Sequence, residues 1–321
     1  MDSRILSAEA AEESGVDEQW EEGNEAWWDW YLSLADDGAK PTELVEVAAP
    51  ARVSLPSVGE LRAELATPYA LSGQQSARFR AEGYIKLPEV LTPGALALAR
   101  VEVERLAAAG DGPGTSGFLS LDMMWQGDSE VLALFALSPR LGRLAADLLG
   151  VADTRIYHDN VLSKTPACGR TPWHFDAHHF PIASKDIVTS WIPLQEIPEP
   201  MGPLAFAAGS ETWRVAEDVD FNAKDSSYDK GVAEAFKDAG VRVDDTSFAL
   251  GEMSFHHAWC FHFARGNATT QPRAVMATTY FADGARLVDS PTMVSGDFEK
   301  FLPGAQPGEV IDTPLNPIVS R

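Results

Sequence analysis

With 321 residues, 45% hydrophobic and 23% charged, the chain is long enough for one large domain or one domain with an extension, and its composition is that of an ordinary soluble globular protein. Its net charge of −23, from 48 acidic and 25 basic residues, repels phosphate backbones and argues against nucleic acid or an anionic membrane as partner. No apolar run approaches the roughly 20 residues of a membrane span, no basic-then-apolar leader opens the chain, and two cysteines, Cys168 and Cys260, are too few for a disulfide framework, so a cytoplasmic protein is expected.

Residues 1–60 carry fifteen acidic residues against Arg4, Lys40 and Arg52, and four of the nine tryptophans. Trp20, Trp27, Tyr31 and Leu34 recur at near-helical spacing, which predicts an acidic amphipathic helix docked by an aromatic stripe. Residues 1–70 are therefore assigned to a helical extension, in which "AAPARVSLPSVG" is a connector. From about residue 73 the pattern predicts a short helix, a strand at Tyr84–Leu87, and a helix that Thr92 caps and Pro93 begins. A further helix follows over 138–150, capped by Ser138 and ended by Gly150.

Beyond it, short strand-like runs dominate: "RIYHDNVLSK", "DIVTSWIPLQ", "PLAFAAGS", "EMSFHHAWCF" and "RAVMATTYFA". Gly/Pro turns separate them, the mark of an antiparallel sandwich or barrel and not of βαβ units. One helix, "DSSYDKGVAEAFKDAG", interrupts the strands within an insert at about 221–245, and residues 301–321 form a C-terminal tail to a main domain spanning 71–300.

All seven histidines lie between residues 158 and 262. In "TPWHFDAHHFPI", strand alternation presents His174 and Asp176 on one face and turns Phe175 into the opposite layer. An imidazole and a carboxylate on one face need one more imidazole to make a facial triad, which leaves three positions of an octahedral Fe(II) open. That third ligand is expected from "FHHAWCFH", where His256 and His262 share a strand face and His257 takes the other. Four-coordinate zinc suits such a set less well. One strand later Arg273 offers a planar fork for the far carboxylate of a dicarboxylic co-substrate.

With these residues in view, the segment 164–280 resembles the phytanoyl-CoA dioxygenase family of Fe(II)/2-oxoglutarate-dependent oxygenases. The family's "H-x-D-x-H-[YH]-F-P" pattern matches "HFDAHHFP", its glycine-led stretch matches "GPLAFAAGSE", and its distal histidine with an arginine eleven residues on matches His262 and Arg273. The similarity covers about residues 75–285; the first 70 or so have no counterpart. It implies a mainly β fold with flanking helices, its core a double-stranded β-helix (jelly roll, cupin-like). It also implies His174, Asp176 and His262 as iron ligands, Arg273 and Lys164 as anchors of 2-oxoglutarate, and Trp191 as a wall of that pocket.

The implied activity is O2-dependent hydroxylation of an unactivated C–H bond in a small organic molecule, with release of succinate and CO2. Alternatives are desaturation, epimerisation, cyclisation or demethylation at the same centre, or a non-catalytic protein that binds metal and 2-oxoglutarate. Asp176 disfavours halogenation, since related halogenases lack that carboxylate. The sequence departs from the family after the distal histidine, where "HFARGN" replaces "H-G-S-x-x-N" but keeps Asn267. Phe263 and Arg265, together with His178 and His179, are thus the candidate substrate contacts. The partner expected is a small-molecule substrate, with no nucleic acid and no membrane, for a monomer or homodimer.

Overall fold

The computed structural model describes residues 41–109, 117–126, 129–220, 225–291 and 298–321. The amphipathic helix expected at the N-terminus lies outside the described residues. Within the stretch expected to be a connector, Ser57 instead opens helix α1 (Val58–Ala66): its hydroxyl and the Glu60 carboxylate cap each other's backbone N–H groups. Helices α2 (Gly73–Glu82), α3 (Pro93–Ala109), α4 (Glu130–Ala136) and α5 (Pro139–Leu149) follow, the last three separated by strands or turns. Helix α5 ends as expected at Gly150, whose φ of +75° is costly for a residue with a Cβ. Its Leu141, Leu144, Ala145 and Leu148 recur at three- and four-residue spacing and are buried.

Among the described residues, ten strands form two antiparallel sheets. The larger contains β1 (Tyr84–Leu87), β2 (Phe118–Asp122), β3 (Thr154–Lys164), β5 (Ile187–Pro193), β8 (Met253–His257) and β10 (Arg273–Ala282), in the order β1-β8-β5-β10-β3-β2. The smaller contains β4 (Thr171–His174), β6 (Leu204–Ala208), β7 (Arg242–Asp244) and β9 (His262–Ala264), in the order β4-β9-β6-β7. Two facing antiparallel sheets with helices on the outside are the jelly roll expected from the sequence. Helix α6 (Ser227–Asp238) is the predicted interruption and covers the outside of the smaller sheet, where Val232 and Phe236 meet Trp173 and Phe261.

Alternation along the large sheet sorts its residues into two layers. Ile85, Leu87, Val188, Ile192, Met253, Phe255 and Met276 face the helices and share one core with Leu61, Phe79, Phe135 and Leu144. Each large apolar side chain so buried contributes about 1.5–3 kcal/mol. The opposite face looks across to the smaller sheet, where Tyr84 stacks on Phe206 with ring centroids 4.4 Å apart. The Tyr84 hydroxyl also donates to Asp244 at 2.7 Å, and Lys86 pairs with the same carboxylate, tying β1 to β7 across the sheets.

The last segment runs back along β3: Val319 donates to the Thr154 carbonyl and Ile156 to that of Pro317. Asn316 holds it in place. Fully buried, its amide nitrogen lies 3.0, 3.3 and 3.1 Å from the carbonyls of Ile156, Tyr157 and Phe301. Asn316→Ala strands these acceptors away from water, and a loss of about 3 kcal/mol is expected as a lowered urea midpoint. No described helix is long and apolar enough to cross a membrane.

Candidate metal centre

Strand β4 stops at His174, and a single 3-10 turn takes over at Asp176–His179. Between them Phe175 stays extended (φ −135°, ψ 151°), and its ring packs away from the interior against Trp259 and Phe261. His174 and Asp176 are thus presented together as expected, although Asp176 has already left the strand. Pairing across β4 and β9 places Thr171 opposite Ala264 but His174 opposite His262, so one extra residue is accommodated at Pro172–Trp173. Proline has no N–H to lose there, and the Trp173 N–H goes instead to Asp229 at 2.7 Å. The bulge aims His174 at His262, ring centroids 4.1 Å apart.

One ligand atom each from His174, Asp176 and His262 lies within 4.8 Å of the others. Nε2 of His262 and Nε2 of His174 are 3.6 and 3.9 Å from Oδ1 of Asp176. Both rings are held from behind: Nδ1 of His174 is 2.9 Å from the Pro172 carbonyl, and Nδ1 of His262 is 2.9 Å from that of Cys260. A carbonyl can only accept, so each Nδ1 carries the proton and each Nε2 turns a lone pair inward. Burial pushes both imidazoles below their ordinary value, that of His262 well below. Burial alone would raise the Asp176 carboxyl, but the surrounding imidazoles of His262, His256 and His174 outweigh it and hold it well below the usual carboxylate range. Two neutral imidazoles and one carboxylate are the donor set a divalent metal requires.

"FHHAWCFH" is not one strand. β8 ends at His257, residues 258–261 cross between the sheets, and β9 begins at His262. His256 and His262 therefore meet from opposite sheets and not along a shared strand face, with ring centroids 4.4 Å apart. Nε2 of His256 points at Oδ2 of Asp176, 3.2 Å away. His257 faces outward near Phe79 of α2, and burial pushes it down to about 4.

Arg273 and Lys164 are directly opposite each other on β10 and β3, both buried on the inner face of the large sheet. Burial, and after it the charge of Arg273, drives the Lys164 ammonium well below its ordinary value. The guanidinium lies 5.6 Å from the Trp191 ring and donates to the Gly202 carbonyl at 2.5 Å. Only glycine serves at 202, because its φ is +72° and a Cβ would sit 2.3 Å from the Arg265 carbonyl oxygen. Asn267, fully buried, fixes the neighbouring loops by donating to the carbonyls of Lys164 and Gln271.

The proposed substrate contacts divide. The ring of His179 lies 6.5 Å from that of His174, beside the centre; the side chain of His178 lies outside the described residues. Phe263 does not face the centre: one residue past His262 on β9, it turns to the outer layer and packs on Trp173. Arg265 likewise turns away from the centre: its guanidinium reaches outward to Glu199 and Asp245. Thr189 belongs to no motif of the sequence, yet its hydroxyl donates to Oδ2 of Asp176 at 3.0 Å. Its position two residues before Trp191 carried the signal, because alternation puts both on one face.

The family described as phytanoyl-CoA dioxygenase (PhyH) matches residues 79–275. No curated protein matches the chain. Among solved structures the chain is similar to the non-heme alpha ketoglutarate dependent carbocyclase SnoK from nogalamycin biosynthesis, with 22% identity, 79% of this chain and 99% of that one covered, and a TM-score of 0.63. It is similar to the epimerase SnoN in complex with Fe3+, alpha ketoglutarate and nogalamycin RO at 25% identity, 77% and 97% coverage and a TM-score of 0.61. EctD from S. alaskensis with bound Fe follows at 21% identity, 74% and 87% coverage and a TM-score of 0.57, a likeness of fold alone.

Proposed function

The chain belongs to the phytanoyl-CoA dioxygenase family, and we propose that it is an Fe(II)- and 2-oxoglutarate-dependent oxygenase that hydroxylates an aliphatic carbon of a small organic molecule. The observation that carries this reading is the convergence of two rear-anchored imidazoles on Oδ1 of Asp176. His174, Asp176 and His262 would hold the metal, and the similar SnoN structure binds iron and alpha ketoglutarate. Bound there, iron(II) and 2-oxoglutarate would supply oxidation of a C–H bond by O2, with release of succinate and CO2.

The chain's own residues set up that chemistry. Carbonyls behind His174 and His262 fix the tautomer that puts the proton on Nδ1 and leaves Nε2 a lone pair. Lys164 and Arg273 lie side by side and buried, a place that a bound anion would suit by favouring the protonated Lys164, and the distal carboxylate of 2-oxoglutarate is that anion in this proposal. Trp191 beneath Arg273 keeps water from this end. His179 stands where a substrate would approach His174.

The metal-loaded enzyme, supplied with 2-oxoglutarate, O2 and a panel of small aliphatic molecules, is expected to form succinate in step with an oxidised product. Binding of 2-oxoglutarate with no succinate from any member would favour a non-catalytic role. A second reading, the same centre serving epimerisation or ring closure, is favoured by the similarity to SnoN and SnoK. Products made under 18O2 separate the two: hydroxylation incorporates the label, whereas epimerisation and ring closure leave it out.

A further inference from the structure

Asp176 has two carboxylate oxygens in different surroundings. Oδ1 faces Nε2 of His174 and His262. Oδ2 is met by the Thr189 hydroxyl at 3.0 Å and by Nε2 of His256 at 3.2 Å. Those two donors come from neighbouring strands of the large sheet, where Thr189 and His256 are directly opposite each other.

The direction of each hydrogen bond follows from its partners. An ionised carboxylate only accepts, so His256 carries its proton on Nε2, the reverse of the tautomer that the rear carbonyls impose on His174 and His262. In that state His256 has no Nε2 lone pair for a metal, and its buried Nδ1 has no hydrogen-bond partner. The Thr189 hydroxyl is likewise committed to Oδ2, so in its 3.1 Å contact with Thr279 the Thr279 hydroxyl must donate.

We infer that His256 and Thr189 are positioning residues that clamp Oδ2 of Asp176, so that this carboxylate meets the metal through Oδ1 alone. The clamp rests on the proposal that His174, Asp176 and His262 hold the metal, and it decides how many places that ion keeps for other ligands. With Asp176 bound through one oxygen, the three side chains take three of six octahedral positions; through both oxygens they take four. A chelating co-substrate and O2 together need three.

Cobalt(II) titration of the metal-stripped full-length chain, read by visible ligand-field absorption, tests the clamp. His256→Leu is expected to raise the cobalt Kd roughly 10- to 100-fold and to alter the band, as loss of an outer hydrogen-bond partner does. His256→Gln returns an N–H to the same region and should stay within about threefold of wild type, while Thr189→Val should weaken binding about tenfold and Thr189→Ser restore it. Wild-type affinity in a folded His256→Leu variant overturns the clamp. So does a His256→Gln variant that loses affinity and band as fully as His262→Ala, because His256 would then be a ligand. If His256→Leu does not fold, the Thr189 variants decide, and unchanged cobalt binding in Thr189→Val counts against the inference. His174→Ala probes the metal site separately: wild-type cobalt binding there refutes the ligand set, whichever way the His256 and Thr189 series fall.

Discussion

Asp176→Ala is expected to weaken metal binding by more than about 100-fold, beyond the range typical of changes outside the ligand set, and to abolish succinate formation. Asp176 is the one carboxylate between three imidazoles, with His174, His256 and His262 all within 4 Å of its oxygens. Its removal takes away the only negative charge among the proposed ligands and leaves two neutral nitrogens. Thermal unfolding with and without metal gives an independent measurement. Metal at 100 times its Kd stabilises the native state by about 2.7 kcal/mol, so the wild type should gain in Tm on loading and the variant should not. His174→Ala is expected to behave alike, because its Nδ1 is anchored to Pro172 and its Nε2 faces Oδ1 of Asp176. His257→Ala, altering a ring that faces α2, should leave metal affinity unchanged. Equal losses in all three variants would point to unfolding and not to ligation.

Arg273→Ala should weaken 2-oxoglutarate binding by about 2–4 kcal/mol, roughly 30- to 700-fold, the loss that follows truncation of one side of a buried charge pair. Cobalt(II) affinity should be unaffected, since the Arg273 guanidinium is directed to the Gly202 carbonyl and Arg273 is not among the proposed ligands. Arg273→Lys is expected to recover little, because a point charge cannot reproduce the planar fork. The same anchor has a signature in pH. Burial and the neighbouring Arg273 charge push the Lys164 ammonium well below its ordinary value in the free protein. A bound dicarboxylate favours the protonated amine, so its Kd should rise with pH from the depressed Lys164 value upward, with proton uptake on binding. Calorimetry in buffers of different ionisation enthalpy measures that proton directly. Proton release, or the same pH slope in Lys164→Met, would count against the anchor.

Much of the centre was legible before any coordinate. His174 and Asp176 two residues apart, with Phe175 turned outward, follow from the period of extended backbone, and that backbone persists to Phe175 even though the strand does not. Arg273 opening β10 and Ser138–Gly150 bounding a helix were equally local. Phe263 and Arg265 adjoin His262 in sequence but point away from the centre: alternation sends Phe263 to the layer under α6, and Arg265 reaches Glu199 and Asp245. The helix at Val58 was missed because the prolines of "AAPARVSLPSVG" hide a capping box at its end.

By itself, then, the sequence determined what local periodicity controls: the strand and helix segments, the His174–Asp176 pair, and the family whose motifs they match. Which histidine faces which carboxylate oxygen was decided by tertiary structure alone. His256 and His262 are six residues apart in one run, yet a crossing at residues 258–261 puts them on opposing sheets. The acceptor beside each ring then fixes its proton: the Cys260 carbonyl behind His262 leaves Nε2 a lone pair, whereas His256 must donate to Oδ2 of Asp176. Hydrogen-bond partners brought together by sheet packing set the tautomer, and the tautomer separates a metal ligand from its support.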